Sequence, residues 1–485
     1  MPRPESRYEP MKNYWLPVFL LSAVVSGGVS LFNIFGPQKQ TSESSTPSIP
    51  ASASSSATSA SSESSLPAPS PAVPANTTVS PNQTTPPPLV ADSPQAAAFR
   101  AKAISGDARA ACRLGFLYLF TQGVPKNVDE ARNWLEFASK KGDLCATGGL
   151  QQLGIGTNGD DPYVAAFKTF LKAAKAGDPF AQTLVGKMYL WGNGVGKNES
   201  EAITWFQKSA DQGFDDAQIA LGICYQNGAG VGKDDPQALK WFQKAADQQN
   251  AEAEYLVGSA YSNGKGTNKD DGEAVEWYQK AADQGLQDAE VALGRSYATG
   301  QGIGQDDNQA MAWYRKAANQ GDEDAECFLG GAYLNGAGVT KDLVQAVTWF
   351  QKSADQGDAD AEEAMGHAYL NGEGVTVDPA KAVEFYKKSA SQGNSNAECQ
   401  LGIAYMRGLG VTQNSSLASA WFEKAADQGD ANAEFLLGSA YMNGAGVIKD
   451  SATALKWYQK SAEQGNTYAQ DALKNIVPTA PPQSQ

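Results

Sequence analysis

The sequence contains one histidine, His367, and five cysteines among its 485 residues. A metal site built from several histidines is therefore excluded, and a Ser-His-Asp arrangement can form only around His367. The chain contains internal repeats, and the residue type at the position of His367 differs from one repeat to the next, so we expect its side chain at the surface. An odd number of cysteines does not make a disulfide framework, so we expect the cysteines to be small core residues.

Basic charge is also scarce. The chain has 38 lysines and arginines against 53 aspartates and glutamates, which leaves a net charge of −15. A protein that binds nucleic acid or anionic lipid through its charge has the opposite balance. We therefore predict no nucleic-acid partner.

Motifs that carry catalytic chemistry are missing as well. Residues 262–265 match Ser-x-x-Lys, but the Lys-Thr-Gly and Ser-Asp-Asn partners of that motif are absent. Residues 154–159 match G-x-G-x-x-G, but no strand pattern precedes them. Both matches fall in loops of a glycine-rich array, so we interpret them as chance. We predict no catalytic residue, no cofactor, no metal and no enzymatic activity.

What the sequence does contain is a period of 36 residues. A glycine follows an apolar residue at this step, and a tyrosine stands three residues after the glycine each time. The glycines are Gly186, Gly222, Gly258, Gly294, Gly330, Gly366, Gly402 and Gly438. An internal period of about 20–50 residues is typical of arrays in which each unit buries its apolar face against the next unit.

The first half of each unit is predicted to be a helix, which we call helix A. In the unit around Gly222, Ala217, Leu221 and Tyr225 are four residues apart, so they share one helical face. A glycine inside a helix costs about 1 kcal/mol relative to alanine, and close approach of a neighbouring helix would offset that cost. Asn227, followed by glycine, predicts the C-terminal cap.

The second half of each unit is predicted to be helix B, with Asp235 as N-cap and Pro236 at the first helical position. An aromatic residue recurs on helix B, with a lysine three residues after it. These aromatic positions are Trp205, Trp241, Trp277, Trp313, Trp349, Phe385, Trp421 and Trp457. We count about ten units and terminal caps over residues 95–476 and predict an all-α fold, an α-solenoid of antiparallel helix pairs. One early unit is degenerate, with Gln151 at the glycine position and Thr169 at the tryptophan position.

The repeated pattern, clearest in residues 430–446 and 454–465, resembles the Sel-one-like repeat (SLR), a relative of the tetratricopeptide repeat. It has the form D-A-x-A-E-x-x-L-G-x-x-Y-x-N-G-x-G-V, followed by A-x-x-W-[YF]-x-K-A-A-x-Q-G. The resemblance implies an adaptor that holds other proteins or peptides, often at a membrane. A cysteine-rich branch of that family carries a disulfide in each repeat and acts on β-lactams. This chain lacks those cysteine pairs, so the resemblance does not extend to that activity.

Residues 14–35, from Tyr14 to Phe35, carry no charge and are predicted to form a transmembrane anchor. As a helix they would be about 33 Å long, against a hydrocarbon core of about 30 Å. A cleaved signal segment is the alternative. Basic residues concentrate in residues 1–13, which predicts a cytosolic N-terminal tail and a solenoid in the periplasm or at the cell exterior. Ser22, Ser26 and Ser30 fall four apart, which is compatible with a homodimer through the anchor.

Residues 36–94 consist mainly of serine, proline, threonine and alanine, which predicts a disordered linker. A tether of this length has a reach of roughly 40 Å. Residues 477–485 are predicted to be a disordered tail.

A column of glutamates stands four residues before the glycines, at Glu254, Glu290, Glu326, Glu362, Glu398 and Glu434. It is either an acidic surface for a basic partner or a set of local pairs with lysine or backbone groups. As partner-binding residues we predict positions that vary while their neighbours repeat, because aromatic and arginine side chains anchor interfaces. They are Trp191, Tyr255, Arg295, Phe328, His367, Arg407 and Phe435.

The sequence therefore predicts a membrane-tethered scaffold for protein–protein interaction outside the cytosol. The alternatives are a hydrolase related to peptidoglycan or β-lactam chemistry and a eukaryotic lumenal adaptor.

Overall fold

The structure is a computed structural model that describes residues 94–120 and 127–476. Within these ranges all regular secondary structure is helical, in twenty-two helices. The first eleven are α1 (Pro94–Ile104), α2 (Ala108–Phe120), α3 (Val128–Lys140), α4 (Leu144–Gln152), α5 (Pro162–Lys175), α6 (Pro179–Trp191), α7 (Glu199–Ala210), α8 (Asp215–Asn227), α9 (Asp235–Ala246), α10 (Ala251–Asn263) and α11 (Asp271–Asp283). The others are α12 (Gln287–Thr299), α13 (Asp307–Asn319), α14 (Glu323–Asn335), α15 (Leu343–Gln356), α16 (Ala359–Asn371), α17 (Pro379–Ser391), α18 (Ser395–Arg407), α19 (Ser415–Asp427), α20 (Ala431–Asn443), α21 (Ser451–Glu463) and α22 (Thr467–Ile476).

The predicted all-α solenoid is confirmed. Helices A and B alternate from α2 onward, and each helix packs chiefly against the helices immediately before and after it in the chain. Such packing makes the array a series of nearest-neighbour contacts. The half unit α1 precedes it and the single helix α22 closes it.

The predicted anchor at residues 14–35, the tails at 1–13 and 477–485, and the linker up to residue 93 lie outside the described residues. Among the helices of residues 94–120 and 127–476, none is long and apolar enough to cross a membrane.

The helix ends follow the predicted capping chemistry, with one shift. Gly228 has φ 74°, the left-handed conformation, and its N–H bonds the carbonyl of Cys224. The N-cap of α9 is Asp234 rather than Asp235, because the Asp234 carboxylate accepts the N–H of Gln237 at 2.9 Å. Two consecutive aspartates left this register ambiguous in the sequence, and Pro236 consequently sits at the second helical position.

The repeated glycine of helix A lies beneath an aromatic ring of helix B. A Cβ placed on Gly294 would lie 2.5 Å from Cε1 of the Tyr314 ring, and one on Gly222 would lie 2.3 Å from Cε1 of Phe242. Real Cβ atoms do not approach a ring so closely, so any other residue would push the two helices apart. This contact offsets the helix-propensity cost of the glycine.

The glycine-rich loop between helices A and B is a contact between repeats, not a phosphate cradle. A Cβ on Gly230 would lie 2.5 Å from the carbonyl oxygen of Glu199, at the start of helix B in the preceding unit. The N–H of Gly230 donates to the Glu199 carboxylate at 3.1 Å. The N–H of Asp234 donates to the carbonyl of Tyr225 at 2.8 Å. A phosphate site needs such N–H groups to be available.

The degenerate unit α4–α5 solves the same packing problem one helical turn earlier. Gln151 and Thr169 occupy the positions of the missing glycine and tryptophan, and the Thr169 hydroxyl donates to the Gln151 amide oxygen at 2.7 Å. Gly148 instead takes the aromatic ring, since its Cβ would lie 2.4 Å from Cε1 of Phe170. The spacing of the repeat alone predicts the packing glycine at position 151.

Two adjacent glycines on α14 provide a matched test of this packing. A Cβ on Gly330 would lie 2.6 Å from the Phe350 ring, whereas a Cβ on Gly331 meets nothing within 4 Å. We expect Gly330→Ala to destabilise the protein by roughly 1–3 kcal/mol through overpacking. We expect Gly331→Ala to stabilise it by about 0.5–1 kcal/mol, because alanine has the higher helix propensity. Urea unfolding of both variants measures the two effects, and equal effects would contradict this account of the glycine.

Candidate interaction site

The seven residues predicted to bind a partner lie on seven different A helices. Their order is Trp191 on α6, Tyr255 on α10, Arg295 on α12, Phe328 on α14, His367 on α16, Arg407 on α18 and Phe435 on α20. The structure therefore distributes them along the array instead of gathering them in one pocket.

Tyr255, Phe328 and Phe435 are half-buried in seams between helices. The Tyr255 ring lies 5.6 Å from the ring of Tyr278 on the helix B of its own unit. Phe435 makes the equivalent contact, with 5.6 Å between its ring centroid and that of Tyr458. Phe328 packs at 4.9 Å against Tyr314 of the preceding unit. Part of each ring is thus used in packing, which leaves only its outer edge for a partner.

His367 is buried, with 4% of its surface exposed, so the expectation of a surface side chain is wrong. Its Nε2 lies 3.0 Å from the Glu363 carboxylate one turn earlier, and its ring packs edge-on against Tyr386 at 5.5 Å. The repeat placed this position beside Gly366, but the ring of Tyr386 covers it. A partner reaches His367 only through its neighbours.

Trp191 and Arg407 occupy one and the same repeat position, the last residue of helix A before its glycine cap. Both are exposed, and Trp191 exposes 62% of its surface. Arg295 is half-buried beside Asp324 of the next unit, and its charge lowers the pKa of that carboxyl against the larger raising effect of burial. Trp191 and Arg407 are therefore the two candidates that are exposed instead of half-buried or buried.

A feature that the candidate list missed is a row of acids at the second residue of five successive A helices. We call it the acidic stripe, and it consists of Asp216, Glu252, Asp288, Asp324 and Asp360. Acids in the first turn of a helix are favoured by the helix dipole, so each has a local structural role. In the sequence this row can be recognised because its members are 36 residues apart.

The acids of neighbouring units lie close enough to act on one another. The pKa of the N-cap Asp322 is raised to about 6, chiefly by burial and in smaller part by the charges of Asp324 and Asp288. The pKa of Asp358 is raised to about 7, again chiefly by burial and in smaller part by Asp360 and Asp324. Carboxylates of successive units therefore lie close enough to repel one another, and Arg295 is a cation that acts on Asp324 among them. A cationic group of a partner would relieve that repulsion.

The glutamate column is not a surface. The six glutamates are 3–6% exposed, and each accepts a hydrogen bond from a glutamine amide at the C-terminal end of helix B in its own unit. The bond from Gln284 to Glu254 is 2.6 Å and that from Gln320 to Glu290 is 2.8 Å. Local pairing is therefore confirmed, but the partner is glutamine and not lysine.

The repeated lysine of helix B is engaged elsewhere. Lys280 Nζ lies 3.6 Å from the centre of the Trp277 ring, and Lys316 lies 3.6 Å from that of Trp313. This cation–π contact recurs along the B helices. It explains why the two residue types share one period.

The five cysteines are free, as predicted, and four of them are buried. Cys145 Sγ lies 3.8 Å from Asp178, and Cys112 lies in the same setting beside Asp143. Burial and these aspartates raise the pKa of both thiols, which keeps them protonated and unreactive. Within the described part of the chain, no group of three or more histidine, cysteine, aspartate or glutamate side chains is arranged to hold a metal.

Comparison with known families is consistent with this geometry. The Sel1 repeat pattern matches nine segments that together span more than half of the chain. They are residues 108–143, 179–214, 215–250, 251–286, 287–322, 323–358, 359–394, 395–430 and 431–466. The chain belongs to the Sel1 repeat family. The one unit without a match is the degenerate α4–α5.

Two solved structures of Sel1 repeat proteins resemble this chain. One is a protective antigen of uropathogenic Escherichia coli strains with an SLR fold, at 35% identity and a TM-score of 0.55, covering 79% of this chain and 82% of that one. The other is a Sel1 repeat protein from Oxalobacter formigenes, at 36% identity and a TM-score of 0.51, covering 64% of this chain and 91% of that one. No curated protein matches the chain.

The tyrosine that covers His367 offers a test of whether this region is packing or a site. Within the described residues the Tyr386 hydroxyl has no hydrogen-bond partner, although the residue is 1% exposed. We expect Tyr386→Phe to leave stability unchanged or raise it by about 1 kcal/mol, since it removes an unsatisfied buried group. Phenylalanine occupies the equivalent position in other units, for example at Phe350.

Tyr458→Phe is the matched control. Its hydroxyl lies 3.1 Å from the Ser439 hydroxyl, so its loss should cost about 0.5–1.5 kcal/mol. Thermal unfolding distinguishes the two variants. A larger loss for Tyr386→Phe than for Tyr458→Phe would show that the Tyr386 hydroxyl has a role that the packing does not explain.

Proposed function

We propose that this Sel1 repeat protein is a scaffold that binds another protein along its A helices, with the acidic stripe receiving lysine and arginine side chains. The observation that carries the proposal is the recurrence of an acid at the second residue of five successive A helices, where acids of neighbouring units lie close enough to contribute to the raised pKa values of Asp322 and Asp358. Charge of one sign at a regular step suits an extended basic segment, because electrostatic complementarity sets partner choice and association rate.

Trp191 and Arg407 are exposed at the opposite, C-terminal ends of A helices, where they offer a second contact for a partner, since both residue types anchor interfaces. A hydrolase remains the alternative in name only, as nothing in the described residues favours it. The one histidine, buried at 4% exposure, is poorly placed to reach a substrate.

Replacement of three acids of the stripe tests the proposal. The triple variant Asp288→Asn, Asp324→Asn, Asp360→Asn should lower capture of partner proteins from extracts of the source cells by about tenfold. This follows because each exposed ion pair contributes roughly 0.2–1 kcal/mol. Raising the salt concentration should weaken capture by the wild-type protein more than by the variant.

The matched control replaces three exposed aspartates near the ends of B helices, as Asp247→Asn, Asp283→Asn, Asp427→Asn. It removes the same charge from the molecule and should leave capture unchanged. Equal loss in both variants would mean that net charge alone acts, and unchanged capture in the stripe variant would refute the proposed face.

We also propose that the scaffold is tethered to a membrane and acts outside the cytosol. The support is the uncharged segment 14–35, the basic residues before it and the linker after it. The E. coli relative is described as a protective antigen, which agrees with such a location. The serines at positions 22, 26 and 30 place small side chains on one face of the segment, which favours pairing of two anchors, and crosslinking in membranes tests this pairing.

A fusion of alkaline phosphatase after Pro94 should be active, because that enzyme folds only where disulfides form. The intact protein should remain with membranes after alkaline carbonate washing. Release of a chain that lacks about the first 30 residues would identify a signal segment instead. An inactive fusion would place the solenoid in the cytosol.

A further inference from the structure

The glutamate column is an unusual set of carboxylates. Each is almost fully buried, and none takes part in the ion pairs formed by the described residues. Each accepts one hydrogen bond, through Oε2, from the neutral glutamine amide. A buried carboxylate that lacks a paired cation is costly in its ionised form.

Units with glutamine in place of the glutamate show which other hydrogen bond a side chain at this position can form. Where glutamine occupies the column, its amide donates across the repeat boundary to a carbonyl of the preceding helix B. Gln182 donates to the carbonyl of Ala174 at 3.1 Å, Gln218 to that of Ala210 at 3.5 Å and Gln470 to that of Ala462 at 3.3 Å. Each of these carbonyls also accepts a backbone N–H, so it accommodates two donors.

By repeat equivalence the glutamates face carbonyls of the same kind, eight residues before them. The equivalent residues are Ala246, Ala282, Ala318, Ala354, Ala390 and Ala426. A carboxylate offers only acceptors and cannot bond a carbonyl, whereas a carboxylic acid has one O–H donor. Protonation would therefore supply the bond that Gln182 and Gln218 make.

We propose that Glu254, Glu290, Glu362, Glu398 and Glu434 form a proton-operated latch that joins successive units more firmly in acid than at neutral pH. On protonation, the oxygen that does not accept from glutamine donates its new O–H to the alanine carbonyl of the preceding unit. The device concerns five of the unit boundaries between α9 and α20, and it stands whether or not the acidic stripe binds a partner. Units with Gln182 and Gln218 lack it.

The charged groups that face the column do not abolish the effect. A lysine of the unit's own helix B acts on most of the glutamates, from Lys280 at Glu254 to Lys460 at Glu434. Those lysines lie over tryptophan rings, or over Phe385 in the case of Lys388, and form no ion pair with the column. Further acids oppose them, namely Asp322 at Glu290 and both Asp430 and Glu463 at Glu434.

Burial is the largest influence on five of these carboxyls, and it shifts each of them towards the protonated form. Burial raises the pKa of Glu254, Glu362, Glu398 and Glu434, and it raises that of Glu290 to about 7. A group whose folded-state pKa is raised stabilises the fold fully below its unfolded-state pKa, near 4.5 here, and loses that contribution as the pH rises through the folded value. For Glu290 the change thus falls between about pH 4.5 and 7.

Hydrogen–deuterium exchange of the full chain at pH 5.5 and 7.5, corrected for intrinsic exchange, tests the latch. We expect protection around Glu290, in α11 to α13, to rise about tenfold or more at the lower pH, since each unit of pKa shift corresponds to a factor of ten, and protection near the other four glutamates to rise in the same direction. Protection of α6 to α8, which carry glutamine in the column, should change much less. Uniform change along the array would overturn the proposal.

A triple variant identifies the groups responsible. Glu290→Gln, Glu362→Gln, Glu398→Gln should fold, as Gln182 and Gln218 occupy the same position naturally, and should show acid-like protection at pH 7.5. Its control, Glu276→Gln, Glu384→Gln, Glu423→Gln, removes the same charge from exposed B-helix positions and should retain the wild-type pH dependence. The single variant Glu290→Gln provides a milder version. Wild-type pH dependence in the column variants would refute the latch.

Discussion

The contact on which the array depends is an aromatic ring of helix B lying on the bare backbone of helix A. Gly294 beneath Tyr314 and Gly222 beneath Phe242 show the geometry. It brings two helices closer than any Cβ would allow and fixes their relative position along the axis. Once that distance is set, alanines suffice for the rest of the interface, and Ala217 and Ala289 are fully buried. The short side chains of the core follow from the glycine.

Close approach also explains the polar chemistry of each unit. A small helix pair has many exposed helix ends, and their N–H groups need acceptors. Aspartates and asparagines supply these acceptors at the start of nearly every helix, as Asp234 does for the N–H of Gln237. The loop glycine then allows one unit to touch the backbone of the preceding unit, as Gly230 does at Glu199. Capping aspartates recur at the N-terminal ends of the A helices. The acids of the acidic stripe lie in the first turn of the same helices, so negative charge accumulates at that end.

The buried glutamate column has no such structural necessity. Gln182 and Gln218 make one more hydrogen bond in the same place without a charge. A buried carboxylate is therefore the less stable choice at neutral pH. Because it nevertheless recurs in six units, the column provides a property other than stability. The repeated lysine of helix B does not form an ion pair with the glutamate column because it lies over an aromatic ring, as Lys316 does over Trp313.

The sequence alone determined the period, the two helices of each unit, the family and the roles of the glycines as packing positions, because these depend on local spacing and on residue size. Only the tertiary structure decided which side chains meet. His367 is a surface position by its pattern but is buried under Tyr386. The glutamates pair with glutamines thirty residues away, and Gly148 replaces position 151 beneath Phe170. Periodicity states which residues share a helical face, but burial depends on what the next helix places over that face, and neighbouring units differ there.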